Sequence, residues 1–208
     1  MDRALLFIDG NNWYHACKAC GVKDRFALSY VAVSRKLVDP RTWVGTRYYI
    51  GALKQTHRGY REQRQFLSRL QNSDPRISVH LGRIEERPQV NELARELLQY
   101  LTTVQLEPEV RLALENLAAK REFVSLLKEK AADVMLAVEM YKLAVEDAYD
   151  AAYLLSADGD FTPAVHAVMD LGKKVYCVSP LFSAALKNAS SAFIPLVKDW
   201  FNDCYRFS

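Results

Sequence analysis

Four aspartates stand where a chain can gather carboxylates. Asp9 follows the apolar run ALLFI, and Asp158 and Asp160 follow AAYLLSA. In an open α/β sheet, ligands bind in the crevice beyond the carboxyl ends of the strands. Asp9, Asp158 and Asp160 are therefore predicted to converge at one end of a sheet. Asp133 begins a predicted helix after Lys128, Glu129 and Lys130, and can face the same crevice. Carboxylates in close company repel and raise one another's pKa. A divalent cation removes that cost by binding the ionised forms, and Mg²⁺ and Mn²⁺ prefer such oxygen donors. These ions activate water and neutralise charge on a phosphate in flight. No His or Cys accompanies the cluster, which argues against zinc. Each aspartate also has a plainer account, as a turn residue (Asp9, Asp158, Asp160) or a helix cap (Asp9, Asp133). Four such coincidences at two strand ends and a helix start are harder to accept than one site.

The elements that must hold these residues alternate along the chain. Residues 4–9 read as a buried parallel strand, apolar on both faces. Asn11 or Asn12 is predicted to cap a helix reaching about Ala19. A second helix is expected over 29–37, stopped by Asp39-Pro40. Residues 43–53, rich in β-branched and aromatic types, read as a strand, 60–70 as a helix and 77–84 as a third strand. From Pro88 the pattern turns helical: Val90, Leu93, Leu97, Leu98 and Leu101 recur at helical spacing, and Pro108 can open a second helix. Leu112, Leu114 and Leu117, then Phe123, Leu126 and Leu127, continue that spacing. The expectation is a helical insertion at about 88–128 within a single domain spanning 1–208. Beyond it, 133–143 reads as a helix and 151–157 as a strand. Residues 163–171 read as a helix ended by Gly172, and 174–178 as the last clear strand. A final helix is expected through Phe193, Leu196, Trp200 and Phe201. Strands alternating with helices predict a parallel α/β sheet flanked by helices.

Composition narrows the class. The 208 residues are 50% hydrophobic and 25% charged, ordinary for a globular chain. No apolar run approaches the ~20 residues of a membrane span, and the N-terminus lacks the apolar core of a secretion signal. A cytoplasmic protein without membrane contact is expected. Cys17 and Cys20 form a CxxC, but no second ligand pair follows, so two small helix residues are the plainer account. Net charge is +3, unevenly spread: residues 18–87 carry 15 Lys or Arg against 6 acidic residues, and residues 88–208 carry 12 against 17. A basic part beside an acidic part suits a polyanion on one surface and metal ions on another. Arg58, Arg61 and Arg64, with Arg69, Tyr60 and Phe66, lie on or near one predicted helix. Arg binds phosphate in bidentate fashion and aromatics stack on unpaired bases. A solvated amphipathic helix is the simpler account.

Three stretches, FIDGNN at 7–12, EKAADVMLAVEM at 129–140 and LLSADGDFTPAV at 154–165, resemble in order the signature blocks of NYN domains, the LabA-like branch of the PIN-like nucleases. GKKVYCVSP at 172–180 is similar to the family's following strand. The resemblance covers most of the chain apart from 88–127. It implies a Rossmann-like, PIN-like fold and Mg²⁺- or Mn²⁺-dependent cleavage of RNA, single-stranded or structured. It implies that Asp9, Asp133, Asp158 and Asp160 hold the metal, that Asn12 and Ser156 position phosphate or a carboxylate, and that Lys130 meets phosphate. The family often has a second aspartate where this chain has Glu139. Six residues beyond Asp133, that position falls on a different helical face. The expected function is an endoribonuclease, with a noncatalytic RNA-binding module of the same fold as the alternative. A phosphatase-like hydrolase with Asp9 as nucleophile would want Asp at position 11, where Asn stands. The insertion is a substrate lid or a homodimer surface, and the sequence does not choose between them.

Overall fold

The computed structural model describes residues 2–22, 26–120 and 123–205, with backbone alone for 85–90 and 123–130. Six parallel strands lie in the order β3-β2-β1-β5-β6-β7. They are β1 (Arg3–Asp9), β2 (Thr42–Ala52), β3 (Ile77–Val90), β5 (Ala151–Leu155), β6 (Lys174–Ser179) and β7 (Ala192–Pro195). Successive side chains on a strand point to opposite faces, and β1 is apolar at every position from Ala4 to Ile8. It is therefore buried on both sides. Leu6 and Ile8 join one core with Trp13, Val33, Leu37, Tyr48, Phe66 and Leu70. Leu5 and Phe7 join the other with Leu136, Met140, Leu154, Val165 and Leu186. The first core is covered by α1 (Gly10–Ala19), α2 (Tyr30–Val38) and α3 (Tyr60–Gln71), the second by α6 (Ala132–Val145), α7 (Thr162–Asp170) and α8 (Ala184–Ala189).

The chain builds outward from β1 in one direction through β2 and β3, then from β5 in the other through β6 and β7. Neighbouring β1 and β5 thus flank the point where strand order reverses, which is where open α/β sheets form their binding crevice. Asp9 ends β1, and Asp158 and Asp160 follow β5.

Residues Ile84–Lys128 form a second compact unit beside that of 1–83 with 129–208. Within it α4 (Glu92–Leu101) packs on α5 (Pro108–Ala119), with Pro108 in the first turn of α5. The helical expectation fails at both ends of this stretch. β3 runs on to Val90, and Phe123, Leu126 and Leu127 lie on a strand, β4 (Phe123–Lys130), the neighbour of β3. Short apolar runs fit either period, and strand pairing decided here. The expected final helix is also corrected. Phe193 lies on β7, and Trp200 and Phe201 lie on a 3-10 turn, Lys198–Phe201.

Candidate active site

The cap of α1 is Asp9 itself, not Asn11 or Asn12. Its Oδ1 accepts the backbone N–H of Asn12 at 3.1 Å. Its Oδ2 accepts the hydroxyl of Ser156 at 3.0 Å, across from the end of β5. Ser156 is fully buried, and its Oγ accepts in turn the N–H of Asp158 at 3.1 Å. The side chain of Asn12 closes the ring: its Oδ1 accepts the N–H of Ala157 at 3.0 Å. The ends of β1 and β5 are thus stitched by three polar side chains, each satisfying a backbone donor that neither strand nor helix could use. The sequence blocks FIDGNN and LLSADGD meet here.

Gly10 lets β1 turn into α1 against β2. A Cβ on Gly10 would stand 2.7 Å from the carbonyl oxygen of Tyr49 and 2.6 Å from the ring of Tyr48. Only glycine allows that approach, so the Asp-Gly pair is a packing requirement as well as a turn.

Asp158 caps the 3-10 turn Gly159–Phe161, its Oδ1 accepting the N–H of Asp160 at 2.9 Å. Asp133 stands in the first turn of α6, two residues after the cap Ala131, whose φ of 76° is the left-handed conformation that L side chains rarely adopt. The charges of the cluster act on Asp9 and Asp133. Burial pushes Asp9 up to a pKa of about 6, and the charges of Asp133 and Asp158 add to the rise while its hydrogen bonds from Asn12 and Ser156 oppose it. Asp133 is raised by burial and then by Asp158 and Asp160. Among the described residues the hydrogen-bond partners of Asp9 are Asn12 and Ser156, so its carboxylate is held in low dielectric by neutral donors. The donor set is oxygen only, which fits a hard divalent ion that keeps part of its water shell. Among the described residues no three His, Cys, Asp or Glu side chains lie within one coordination sphere. The carboxylates share a field without forming a closed cage.

Glu139 belongs elsewhere. It accepts the hydroxyl of Tyr49 at 2.8 Å, and lies 3.4 Å from Arg47 and 3.5 Å from His80. His80 stacks on Tyr49 with ring centroids 4.8 Å apart. Burial and Arg47 lower the pKa of His80, while Glu139 opposes them. This knot over β2 and β3 was not foreseen in the sequence, because its members are scattered from residue 47 to residue 139.

Arg58, Arg61, Arg64 and Arg69 do line one open groove along α3, with His57 and Tyr60. None of the four aspartates lines it. Gln63 fixes α3 to the carboxyl end of β2: its amide nitrogen donates to the carbonyl of Gly51 and its oxygen accepts the N–H of Leu53, both at 2.9 Å. β2 pairs with β1, with Tyr49 level with Asp9, so Gln63 ties α3 to the strand next to the one that ends in Asp9. The side chain of Lys130 lies outside the described residues. None of the four cysteines is in a disulfide, and Cys17 is a buried residue of α1. Among the described residues no helix is long and apolar enough to cross a membrane.

The comparisons agree with this architecture. A crystal structure of a protein of unknown function from Vibrio parahaemolyticus shares the fold, with a TM-score of 0.58 over 95% of this chain and 94% of that one at 19% identity. No curated protein matches the chain. The family model for the NYN domain matches residues 3–197. With its strand order reversing between Asp9 and Asp158, the chain belongs to the NYN domain family and carries that family's PIN-like, nuclease-type fold.

Proposed function

We propose that the chain is a metal-dependent endoribonuclease that hydrolyses RNA phosphodiester bonds at Asp9, Asp133, Asp158 and Asp160. The observation that carries the reading is Asp9. It is a buried carboxylate, oriented by Asn12 and Ser156 and raised by burial and then by two neighbouring carboxylates. The four aspartates would hold Mg²⁺ or Mn²⁺. Such an ion, when bound, supplies charge neutralisation at the phosphate and a more acidic water.

The chain's own residues do the rest. Ser156 and the Asn12 backbone fix both oxygens of Asp9, so little reorganisation remains when substrate arrives. Hydrolysis forms one bond from a water oxygen to phosphorus and breaks one from phosphorus to a sugar oxygen. The attacking water gives up a proton and the leaving oxygen gains one. A carboxylate of the cluster that the ion leaves free would be suited to receive that proton. Arg58, Arg61 and Arg64 would bind the flanking phosphates, with Tyr60 placed to stack on an unpaired base.

The separation of the basic groove from the carboxylates keeps a second reading in view, an RNA-binding module without turnover. One assay divides the two: cleavage of labelled single-stranded RNA in Mn²⁺, in Mg²⁺ and in EDTA, with Asp158→Asn alongside. Cutting that needs the metal and is lost in the variant supports the nuclease. RNA bound but never cut supports the module. Cutting retained by the variant would refute the assignment of the site.

A further inference from the structure

α6 buries Ala132, Leu136, Met140 and Ala144 against the sheet, yet its opposite face is not polar. Val134, Val138, Tyr141 and Val145 are 66%, 60%, 44% and 58% exposed. A surface helix ordinarily turns charged residues outward, and one that is apolar all round is buried on both sides. The four residues follow one another at intervals of four, three and four, the spacing of a seam between paired helices.

That spacing reads the same in both directions, about a midpoint between Glu139 and Met140. We propose that this stripe of α6 is the interface of a homodimer in which two α6 helices pack antiparallel about a twofold axis. Val134 then comes level with Val145 of the second copy, and Val138 with its Tyr141. An interface made of one patch meeting itself must be self-complementary under that reversal, and the intervals meet the condition. The residues beside the seam are Met135, Ala137 and Lys142. Lys142 shares a side of the seam with Met135 of the second copy, so no like charges are pressed together there. Asp133 and Glu146 stand off the seam on opposite sides of it. The helix is about 21 Å long, and two such stripes bury roughly 1,000 Å², the lower edge of a specific interface. A dimer dissociating in the micromolar range is expected, and it does not depend on the nuclease reading.

Sedimentation velocity of the whole chain, from about 1 to about 100 µM, tests it. The expected result is a monomer–dimer equilibrium, shifted at least tenfold toward monomer by Val138→Glu, with an unchanged circular dichroism spectrum. A chain monomeric throughout would overturn the proposal. So would a dimer untouched by Val138→Glu, which would move the contact to another apolar surface such as Leu93 and Tyr100 of α4. Register is read by oxidation: a mixture of Val134→Cys and Val145→Cys should crosslink, with wild type as the blank for Cys20. Crosslinking of Val134→Cys with itself would refute the antiparallel arrangement.

Discussion

Replacing Asp9 by Asn should stabilise the metal-free protein, and only where the carboxyl of the wild type is ionised. Folding raises its pKa from 3.8 to about 6. The fold therefore holds the proton more tightly than the unfolded chain does. Stability is unaffected below about pH 4, falls as the pH rises from there to about 6, and stays lowered above. The displacement corresponds to roughly 3 kcal/mol. Asparagine cannot ionise, and its Oδ1 still accepts the N–H of Asn12. Its amide donates to Ser156 Oγ, whose hydroxyl then loses a charged acceptor, returning about 1 kcal/mol. The expected net gain is about 2 kcal/mol near pH 8, and near pH 4, where the wild-type carboxyl is already neutral, the two proteins should be about equally stable.

Thermal unfolding in EDTA at the two pH values reads this out. For a chain of this size the gain near pH 8 is a rise in Tm of about 4–8 °C. A variant less stable than wild type by the same margin at both pH values would refute the reasoning, because Asp9 would then stabilise the fold as an ordinary cap. Saturating Mn²⁺ should close or reverse the gap near pH 8, since a ligand at a hundredfold excess over its Kd contributes about 2.7 kcal/mol to the state that binds it.

Three further substitutions probe the surroundings. Gly10→Ala drives a methyl against the Tyr49 carbonyl at 2.7 Å, which cannot swing aside; a loss of about 3 kcal/mol in urea unfolding is expected, and a loss below ~1 kcal/mol would show that β2 yields. Arg61→Ala with Arg64→Ala should weaken single-stranded RNA binding and make its salt dependence shallower by about 1.4 in log–log slope, leaving single-turnover cleavage of saturating substrate intact. An unaltered slope would mean that these side chains only solvate α3. Glu139→Gln should leave metal-dependent cleavage within a few fold and let the imidazole of His80 titrate lower still, as seen by NMR. Loss of cleavage with Mn²⁺ binding would instead make Glu139 a ligand.

What the sequence made legible was whatever depended on local pattern. β1 announced itself by an unbroken apolar run, α2 by a periodic stretch stopped at Asp39-Pro40, and the end of α7 by Gly172, whose φ is 77°. That the chain following β1 and the chain following β5 would meet was also readable, because two strand ends in one parallel sheet leave few places for them to go. What stayed hidden depended on partners. Residues 123–130 carry apolar side chains at intervals that suit a helix or a strand, and only pairing with β3 selects the strand. β7 has four residues, too few for a period to show. Glu139 kept its carboxylate at a family position, but the chain alone could not show that Arg47, Tyr49 and His80 draw it to the other strands.

The caps themselves argue for a purpose beyond folding. Among the described residues five side chains cap helical segments by accepting a backbone N–H: Asp9, Ser29, Asn91, Asp158 and Ser183. Serine, asparagine and aspartate serve that role about equally well. The neutral ones sit at α2, α4 and α8. The two charged ones sit together, beyond the carboxyl ends of adjacent β1 and β5, where the charge of Asp158 raises the cost of ionising Asp9. A helix start needs an acceptor, not a charge, so capping does not account for two aspartates at the point where the strand order reverses. Something that binds there must make the charges worth keeping. If so, Asp9→Asn with Asp158→Asn should fold with both caps intact, be more stable than wild type near neutral pH, and no longer gain stability from a divalent ion. A double variant still stabilised by Mn²⁺ would break the link between the caps and the ion.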